Sequence, residues 1–347
     1  MTPARSKIVL VLGLVALLLV TPEVAQARPV PGVVTQTVLD DRDFARMERG
    51  GVETLRFLIR WREVEPEPGR LDWSSTDHVL ASAARHGIEV LPIVYGSPAW
   101  VAQSELRPPI DDAADRAAWR SFLTALVGRY GPRGDFWKGS ERRAPITRWQ
   151  IWNEPNFDFY WDPKPAVGEY ARLLEISAGA IRSADRGARI MLAGVAAVRS
   201  GMPWWRFLRR LYEQPGVKRD FDFVALHPYA PGLRLMRRQI ELARRIMATA
   251  DDSRTPLAIT EVGWASEGPA STMVKGPRGQ ARLLKRTYRL LGGGHPDWRI
   301  SDVQWYAWRD SMAVEAYCSF CQHAGLFDLA GQPKPAWRAY QQAVRGR

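Results

Sequence analysis

Two short apolar segments of the sequence each end in a glutamate. Residues 148–154 read Arg-Trp-Gln-Ile-Trp-Asn-Glu, and residues 256–261 read Pro-Leu-Ala-Ile-Thr-Glu. Pro155 follows the first glutamate and cannot donate to a strand ladder, so the first segment should end there as a strand. Two facing carboxylates can cleave a glycosidic bond, because one protonates the leaving oxygen while the other acts at the anomeric carbon. We therefore predict Glu154 and Glu261 as a catalytic pair.

The chain around these glutamates alternates between strand-like and helix-like patterns. The predicted strands cover residues 33–38, 53–61, 88–95, 148–154, 188–194, 221–226, 256–261 and 302–308. The predicted helices cover residues 41–49, 77–86, 119–130, 166–184, 203–212, 233–249, 277–291 and 335–344. Eight strand–helix units in a chain of this length favour a single-domain α/β fold, the closed (β/α)8 TIM barrel.

A barrel of this kind keeps its active site at the C-terminal ends of its strands. Glu154 then ends the fourth strand and Glu261 the seventh, so the two carboxylates face each other across the barrel mouth. A separation of roughly 5 to 5.5 Å would retain the anomeric configuration, and roughly 6.5 to 9.5 Å would invert it. The loop at residues 156–162 is rich in aromatic residues. These aromatic side chains could stack against sugar rings or pack beneath the loop, and the sequence favours neither role.

Two motifs resemble glycoside hydrolase clan A, the retaining (β/α)8 glycosidases. These are Trp-Asn-Glu-Pro at residues 152–155 and Thr-Glu-Val-Gly-Trp at residues 260–264. Residues 55–73 are also similar to the second strand and following loop of cellulase-like and family 39-like members. The resemblance spans nearly all of the chain after residue 27, and it implies a retaining, two-carboxylate hydrolysis of O-glycosidic bonds.

The resemblance also implies a role for individual residues. Glu154 would be the acid/base and Glu261 the nucleophile. Asn153 would hydrogen-bond the sugar hydroxyl next to the anomeric carbon, and Arg56 would hold the nucleophile ionised. An adjacent cation lowers the pKa of a carboxyl group, whereas burial and a negative neighbour raise it, so the two glutamates can perform opposite tasks.

Further substrate-binding residues are expected at other strand ends. His227 and Tyr229 match residues that line the active site after the sixth strand in clan A glycosidases, and the resemblance implies the same position for them here. Among the aromatic residues, Trp308 is predicted as the floor of the sugar subsite with Trp305 as the alternative, and Tyr95 and Trp264 as walls. The choice between Trp308 and Trp305 depends on the register of the last strand, since side chains alternate between its two faces.

The N-terminal residues resemble a secretory signal. Arg5 and Lys7 precede an apolar run at residues 8–20, and Ala-Gln-Ala at residues 25–27 fits a cleavage site. We therefore predict a signal peptide over residues 1–27, a catalytic domain over residues 28–347, and a secreted or extracytoplasmic location. An uncleaved anchor is the alternative. No later apolar run is long enough to span a membrane.

The two cysteines, Cys318 and Cys321, lie close together near the C-terminal end of the chain. A local disulfide suits an exported protein, and two free thiols are the alternative. With His323 they would supply three metal ligands, one short of a closed zinc site. No metal and no cofactor is predicted.

The formal net charge of +12 comes mainly from dispersed arginines. It is compatible with an acidic polysaccharide as substrate, although a solvated arginine-rich surface is the favoured interpretation. The sequence contains no dense basic run and no nucleic-acid-binding motif, so no nucleic-acid partner is predicted. It does not indicate an oligomeric state.

Two other classes of protein compete with a retaining glycosidase. A non-catalytic, exported carbohydrate-binding barrel would keep the cleft without turnover, but the presence of both carboxylates favours an enzyme. A metal-dependent hydrolase would need clustered histidine and aspartate ligands, whereas the five histidines are scattered along the sequence.

Overall fold

A computed structural model describes residues 28–197, 200–293, 295–312, 318 and 320–346. The predicted signal segment lies outside these residues. Within them, nine strand segments form one parallel sheet. They are β1 (Val30–Val34), β2 (Thr54–Arg60), β3 (Glu89–Tyr95), β4 (Arg148–Ile151), β5 (Arg189–Met191), β6 (Val195–Ala196), β7 (Val224–His227), β8 (Leu257–Val262) and β9 (Ile300–Tyr306).

The nine segments occupy eight positions of a closed barrel. The sheet runs β5-β4-β3-β2-β1-β9-β8-β7-β6. Segments β5 and β6 are two parts of the fifth position, since β5 pairs with β4 while β6 pairs with β7. A parallel bridge from Met191 to Phe223 also joins the two ends of the sheet. The predicted (β/α)8 fold is confirmed.

Helices alternate with the strands, as the apolar periodicity predicts. They are α1 (Asp41–Gly50), α2 (Trp61–Val64), α3 (Ser74–Arg85), α4 (Ala113–Tyr130), α5 (Val167–Ala184), α6 (Trp204–Tyr212), α7 (Leu233–Thr249), α8 (Gly276–Gly292) and α9 (Pro335–Arg345). None of the helices in the described ranges is long and apolar enough to cross a membrane.

Local sequence signals explain where these helices begin and end. Helix α1 starts in a capping box, in which the side chains of Asp40 and Asp43 each accept a hydrogen bond from the other's backbone amide. It ends before Gly51, whose φ of 80° is the left-handed conformation that favours glycine. Helix α4 buries one apolar face, from Trp119 to Tyr130, against the core.

The lower part of the barrel interior holds a buried apolar cluster and the ion pair of Arg148 with Asp302, and the upper part is polar. Leu91, Met191, Phe223, Ala225 and Ala258 form a buried cluster inside the strands. Large polar side chains lie toward the C-terminal ends of the strands, where the following loops begin. The first predicted strand was misplaced: residues 33–38 were expected, but β1 covers Val30–Val34, and its pairing with β9 sets these limits.

Candidate active site

Two successive residues after β4, Asn153 and Glu154, present their side chains to the barrel mouth. Trp152 and Glu154 have positive φ angles of 71° and 40°, a conformation that is rare and costly for residues other than glycine. The backbone is held on both sides, because the amide of Trp152 donates to Val94 and that of Glu154 donates to Gly194, at 3.0 and 3.1 Å. Backbone strain of this kind is concentrated at functional sites.

The end of β8 also presents two successive side chains to the interior. The pairing of β8 with β9 shifts register between Ile259 and Val262. This irregularity breaks the usual alternation, and both Thr260 and Glu261 make contacts inside the barrel. Glu261 is therefore delivered to the mouth while Thr260 lies beneath it.

Arg56 holds the Glu261 side of the site. Its Nη1 lies 2.5 Å from Oε1 of Glu261, and its Nη2 donates to Oδ1 of Asn153 at 3.0 Å. Its Nε donates to Oε1 of Gln150 at 2.7 Å. Arg56 is fully buried, so this ion pair is little screened by solvent. The second oxygen of Glu261 accepts a hydrogen bond from the Tyr229 hydroxyl at 2.8 Å.

His227 holds the Glu154 side of the site. Its Nδ1 lies 2.7 Å from Oε1 of Glu154, and its Nε2 lies 3.0 Å from the Thr260 hydroxyl. Gly194 leaves the room that this ring needs, because a Cβ at that position would lie 2.0 Å from Nε2 of His227. Glycine is thus required at the break between β5 and β6.

The environments of the two glutamates move their pKa values in opposite directions. Burial raises the pKa of Glu154, and the nearby charge of Glu261 adds to this effect against the opposing contact of His227. Burial would also raise the pKa of Glu261, but His227, the Arg56 guanidinium and the Tyr229 hydroxyl outweigh it and lower that pKa. Burial raises the pKa of Tyr229 well above its ordinary value, which keeps its hydroxyl a donor.

The two carboxyl groups lie close together. One oxygen of Glu154 and one of Glu261 are within 4.8 Å of each other. This short spacing suits a nucleophile and an acid on either side of one bond, whereas an inverting pair leaves room for a water between them. Glu154, His227 and Glu261 could in principle surround a metal ion, but Arg56 already supplies the positive charge at Glu261.

The structure brings together six of the predicted site residues at the barrel mouth: Arg56, Asn153, Glu154, His227, Tyr229 and Glu261. Tyr95 ends β3 nearby, and its ring centre lies 5.5 Å from that of Trp152. Its predicted role as a wall stays a prediction.

The three predicted tryptophans do not line the site. Trp308 is fully buried against Phe327 and Trp337, and its indole N–H donates to Asp43 at 3.0 Å. It therefore packs toward α1 and α9, outside the barrel, and its assignment as the floor of the sugar subsite is wrong.

The alternative residues are also placed differently from the prediction. The indole N–H of Trp305 donates to the carbonyl of Ala324, and that of Trp264 donates to the carbonyl of Ala230. The two rings are completely or almost completely buried and lie 6.2 Å apart, so neither offers a face to a sugar. The reason is strand alternation, which points Tyr306 inward and its neighbour Trp305 outward.

Four residues near the site were missed. Tyr306 places its ring 6.2 Å from that of Tyr229, Gln150 and Thr260 lie beneath the glutamates, and Gly194 lies against His227. The alternation along 148–154 puts Gln150 on the same face as Trp152, so the sequence carried a signal for an inward polar side chain. The alternation from Ala258 also puts Thr260 inside the barrel, whereas the bulge that brings Glu261 to the same side left no such signal.

A disulfide joins Cys318 and Cys321, the pairing that the sequence left open. Phe320, inside this short loop, lies with its ring 5.4 Å from that of Tyr229. The loop thus contacts the phenol that binds Glu261. Nearby, Lys334 forms an ion pair with Asp310, close to Glu267 and His323, so a cation already neutralises this second acidic group.

Comparison with known proteins gives relatives of the same fold. Residues 33–108 match the model of glycoside hydrolase family 42, described as β-galactosidase. A β-xylosidase of Caldicellulosiruptor saccharolyticus is 25% identical over 234 residues, which are 62% of this chain and 43% of that protein. The chain therefore spans less than half the length of this relative.

Solved structures extend the similarity over nearly the whole chain. A family 39 glycoside hydrolase of Bacteroides cellulosilyticus superimposes with a TM-score of 0.68 and 20% identity, covering 91% of this chain and 64% of the other. A β-xylosidase of Caulobacter crescentus gives a TM-score of 0.67 and 16% identity, covering 91% and 69%. These similarities confirm the predicted resemblance to the clan A (β/α)8 glycosidases.

Proposed function

We propose that this protein is a retaining glycoside hydrolase that cleaves O-glycosidic bonds in an oligosaccharide or polysaccharide. The observation that carries the proposal is the pair of facing carboxyl groups with opposite pKa shifts, Glu154 above and Glu261 below the ordinary value. A group that stays protonated can act as an acid, and its ionised partner can act as a nucleophile.

In the first step, an oxygen of Glu261 bonds to the anomeric carbon while the glycosidic carbon–oxygen bond breaks. Glu154 gives its proton to the departing oxygen, which leaves as an alcohol. Arg56 and Tyr229 hold Glu261 on its two oxygens and so fix the direction of attack. Asn153 is held by Arg56 at the point where a hydroxyl beside the anomeric carbon would lie.

In the second step, the Glu154 carboxylate takes a proton from a water molecule, and the water oxygen bonds to the anomeric carbon. The bond to Glu261 breaks and restores both side chains. Two inversions at one carbon give overall retention. The contact with His227 at 2.7 Å lowers the pKa of Glu154 against the effect of burial, so it supports the carboxylate form when that form is needed as a base.

The substrate class and the location are also proposals. The similarity to β-xylosidases makes β-xylosides the first substrates to test. The excess of arginines argues for including uronic-acid-containing oligosaccharides. The signal-like residues 1–27 and the disulfide support action outside the cytoplasm, where disulfides persist.

The test is hydrolysis of a panel of aryl glycosides and oligosaccharides by the wild-type protein and by Glu154→Gln and Glu261→Gln. We expect Glu261→Gln to lose at least about 10³-fold in kcat on any cleaved substrate, because the nucleophile is removed. Glu267→Gln is the matched control, since Glu267 lies in the next loop and is mostly exposed. Equal rates for the wild type and both site variants would contradict the proposal, as would a panel that the wild type binds but never cleaves.

A further inference from the structure

A chain of hydrogen bonds runs beneath the two glutamates. It begins at Arg56, whose Nε donates to Oε1 of Gln150 at 2.7 Å. Nε2 of Gln150 reaches the Thr260 hydroxyl at 3.5 Å, and that hydroxyl lies 3.0 Å from Nε2 of His227. The chain ends where Nδ1 of His227 meets Oε1 of Glu154 at 2.7 Å. The nucleophile side and the acid side are thus joined through Gln150.

The direction of these hydrogen bonds is fixed at the Gln150 amide. A guanidinium can only donate, so the atom of Gln150 that faces Arg56 must be the carbonyl oxygen. The amide nitrogen then faces the backbone carbonyl of Leu192 at 2.9 Å, which can only accept. Gln150 is fully buried between these two partners, so its amide cannot be turned around without breaking both bonds.

This direction continues through Thr260 to His227. The Gln150 amide nitrogen can only donate, so it uses an acceptor site of the Thr260 oxygen. In the described part of the chain, Nε2 of His227 is the one acceptor that the Thr260 proton reaches. When the imidazole is neutral, its Nε2 therefore accepts the hydrogen bond from Thr260, and its proton is on Nδ1, from which it donates to Glu154.

We propose that Gln150 is a positioning residue that fixes the tautomer of His227 and thereby keeps the transferable proton of Glu154 on Oε2. Because Nδ1–H donates to Oε1 of Glu154, that oxygen cannot direct a proton toward the ring. The proton of the acid form is then on the other oxygen, free to move to the glycosidic oxygen.

The opposite tautomer would disable the acid. If Nε2 carried the imidazole proton, the bare Nδ1 would accept, and at 2.7 Å it would draw the Glu154 proton onto Oε1. That proton would point at His227 and away from a leaving group. The inference rests on the proposed glycosidase function for its catalytic meaning, but the tautomer can be measured without any substrate.

The first measurement is nitrogen-15 NMR of the protein with its five histidines labelled. Loss of signals in His227→Asn assigns the ring. We expect Nδ1 protonated in the wild type and Nε2 protonated in Gln150→Glu. The introduced carboxylate can only accept from Thr260, so the hydroxyl must turn and accept from His227. Gln304→Met is the control, since Gln304 is a buried barrel glutamine outside the chain of hydrogen bonds.

A second pair of variants covers the case in which Gln150→Glu does not fold. Thr260→Val keeps the side-chain shape and removes the hydroxyl, so the preference for Nδ1–H should be lost. Thr260→Ser keeps the hydroxyl and should restore it. A wild type with Nε2–H, or the same tautomer in the wild type, Gln150→Glu and Thr260→Val, would overturn the inference.

Kinetics connect the tautomer with catalysis. Thr260→Val should lower kcat/KM by about 10²-fold on glycosides with alkyl leaving groups, which need a general acid. It should change little on dinitrophenyl glycosides, whose leaving group departs without a proton, and Thr260→Ser should recover most of the loss. Equal losses of kcat/KM on both substrates would mean that Thr260 has only a structural role, and they would overturn the inference. If the wild type cleaves no glycoside at all, the proposed function fails. If the tautomer of His227 is the same in the wild type, Gln150→Glu and Thr260→Val, only this inference fails.

Discussion

His227 stands between the two glutamates of the site, with its Nδ1 2.7 Å from Oε1 of Glu154 and 3.7 Å from Oε2 of Glu261. One imidazole thus lies beside both glutamates at the same time. The two carboxyl groups also lie within 4.8 Å of each other, so they titrate as a pair. A change at either glutamate is therefore expected to alter the ionisation of the other.

Activity should depend on pH as a bell-shaped curve. It rises with pH as Glu261 ionises, on a limb below the ordinary carboxyl value of 4.5, because the pKa of Glu261 is lowered. It falls as Glu154 loses its proton, on a limb above 4.5, because the pKa of Glu154 is raised. Arg56→Gln removes a positive charge from Glu261, so the pKa of Glu261 rises and the acid limb of kcat/KM moves to higher pH.

The control for this prediction is Arg148→Gln. Arg148 also pairs with a buried carboxylate, Asp302, at 2.7 Å, but inside the lower barrel. Breaking either buried pair should cost roughly 3 to 5 kcal/mol of stability. The account is contradicted if the acid limb moves equally in both variants, or in neither.

Tyr229→Phe removes one donor from Glu261 and leaves the ring in place. A hydrogen bond to a charged group contributes about 1.5 to 3 kcal/mol, so kcat/KM should fall by roughly 10- to 100-fold, with the acid limb shifted upward. Tyr212→Phe is matched to it, because Tyr212 donates to Asp252 at 2.7 Å away from the barrel mouth. If steady-state kinetics give the same kcat/KM and the same acid limb for Tyr229→Phe as for the wild type, the Tyr229 hydroxyl does not contribute to catalysis.

Trp308→Phe should affect stability and not substrate binding. The substitution leaves a gap beside Phe327 and breaks the hydrogen bond to Asp43, which should lower the free energy of unfolding by about 1 to 3 kcal/mol. The KM of the folded variant should stay within about twofold of the wild type. A raised KM at an unchanged melting temperature would show that Trp308 binds the sugar and would contradict this prediction.

Glu154→Gln should unfold at a higher temperature than the wild type at alkaline pH. The pKa of Glu154 is raised in the folded state, so stability is highest below its unfolded pKa and is lost as pH rises through the folded pKa. Glutamine does not titrate. Thermal unfolding at several pH values should therefore show a difference that grows toward alkaline pH. A difference independent of pH would mean that ionisation of Glu154 does not destabilise the folded state.

The positions that depend on strand ends could be predicted from the sequence. Pro155 turns the chain away directly after Glu154, and the alternation along β2 leaves Arg56 facing inward, so the positions of these two side chains follow from the sequence alone. The helices could be predicted because their apolar faces recur with the helical period. The limits of α7, Leu233–Thr249, match the predicted ones.

The details that depend on register could not be predicted from the sequence. Tyr306 ends β9 and Trp308 follows it by two residues, yet Trp308 packs outside the barrel and Tyr306 faces Tyr229. The bulge in β8 turns both Thr260 and Glu261 inward, which strict alternation forbids. Both outcomes are set by pairing with neighbouring strands and by the loops beyond them.

Trapping the glycosyl-enzyme intermediate tests most directly whether Glu261 is the nucleophile. A 2-deoxy-2-fluoro glycoside of the sugar that the panel selects slows the second step, and mass spectrometry of the digested protein locates the attached sugar. The account predicts one sugar bound to Glu261, accumulating in the wild type and absent in Glu261→Gln. A sugar attached to Glu154, or products of inverted configuration with no attached sugar, would contradict it.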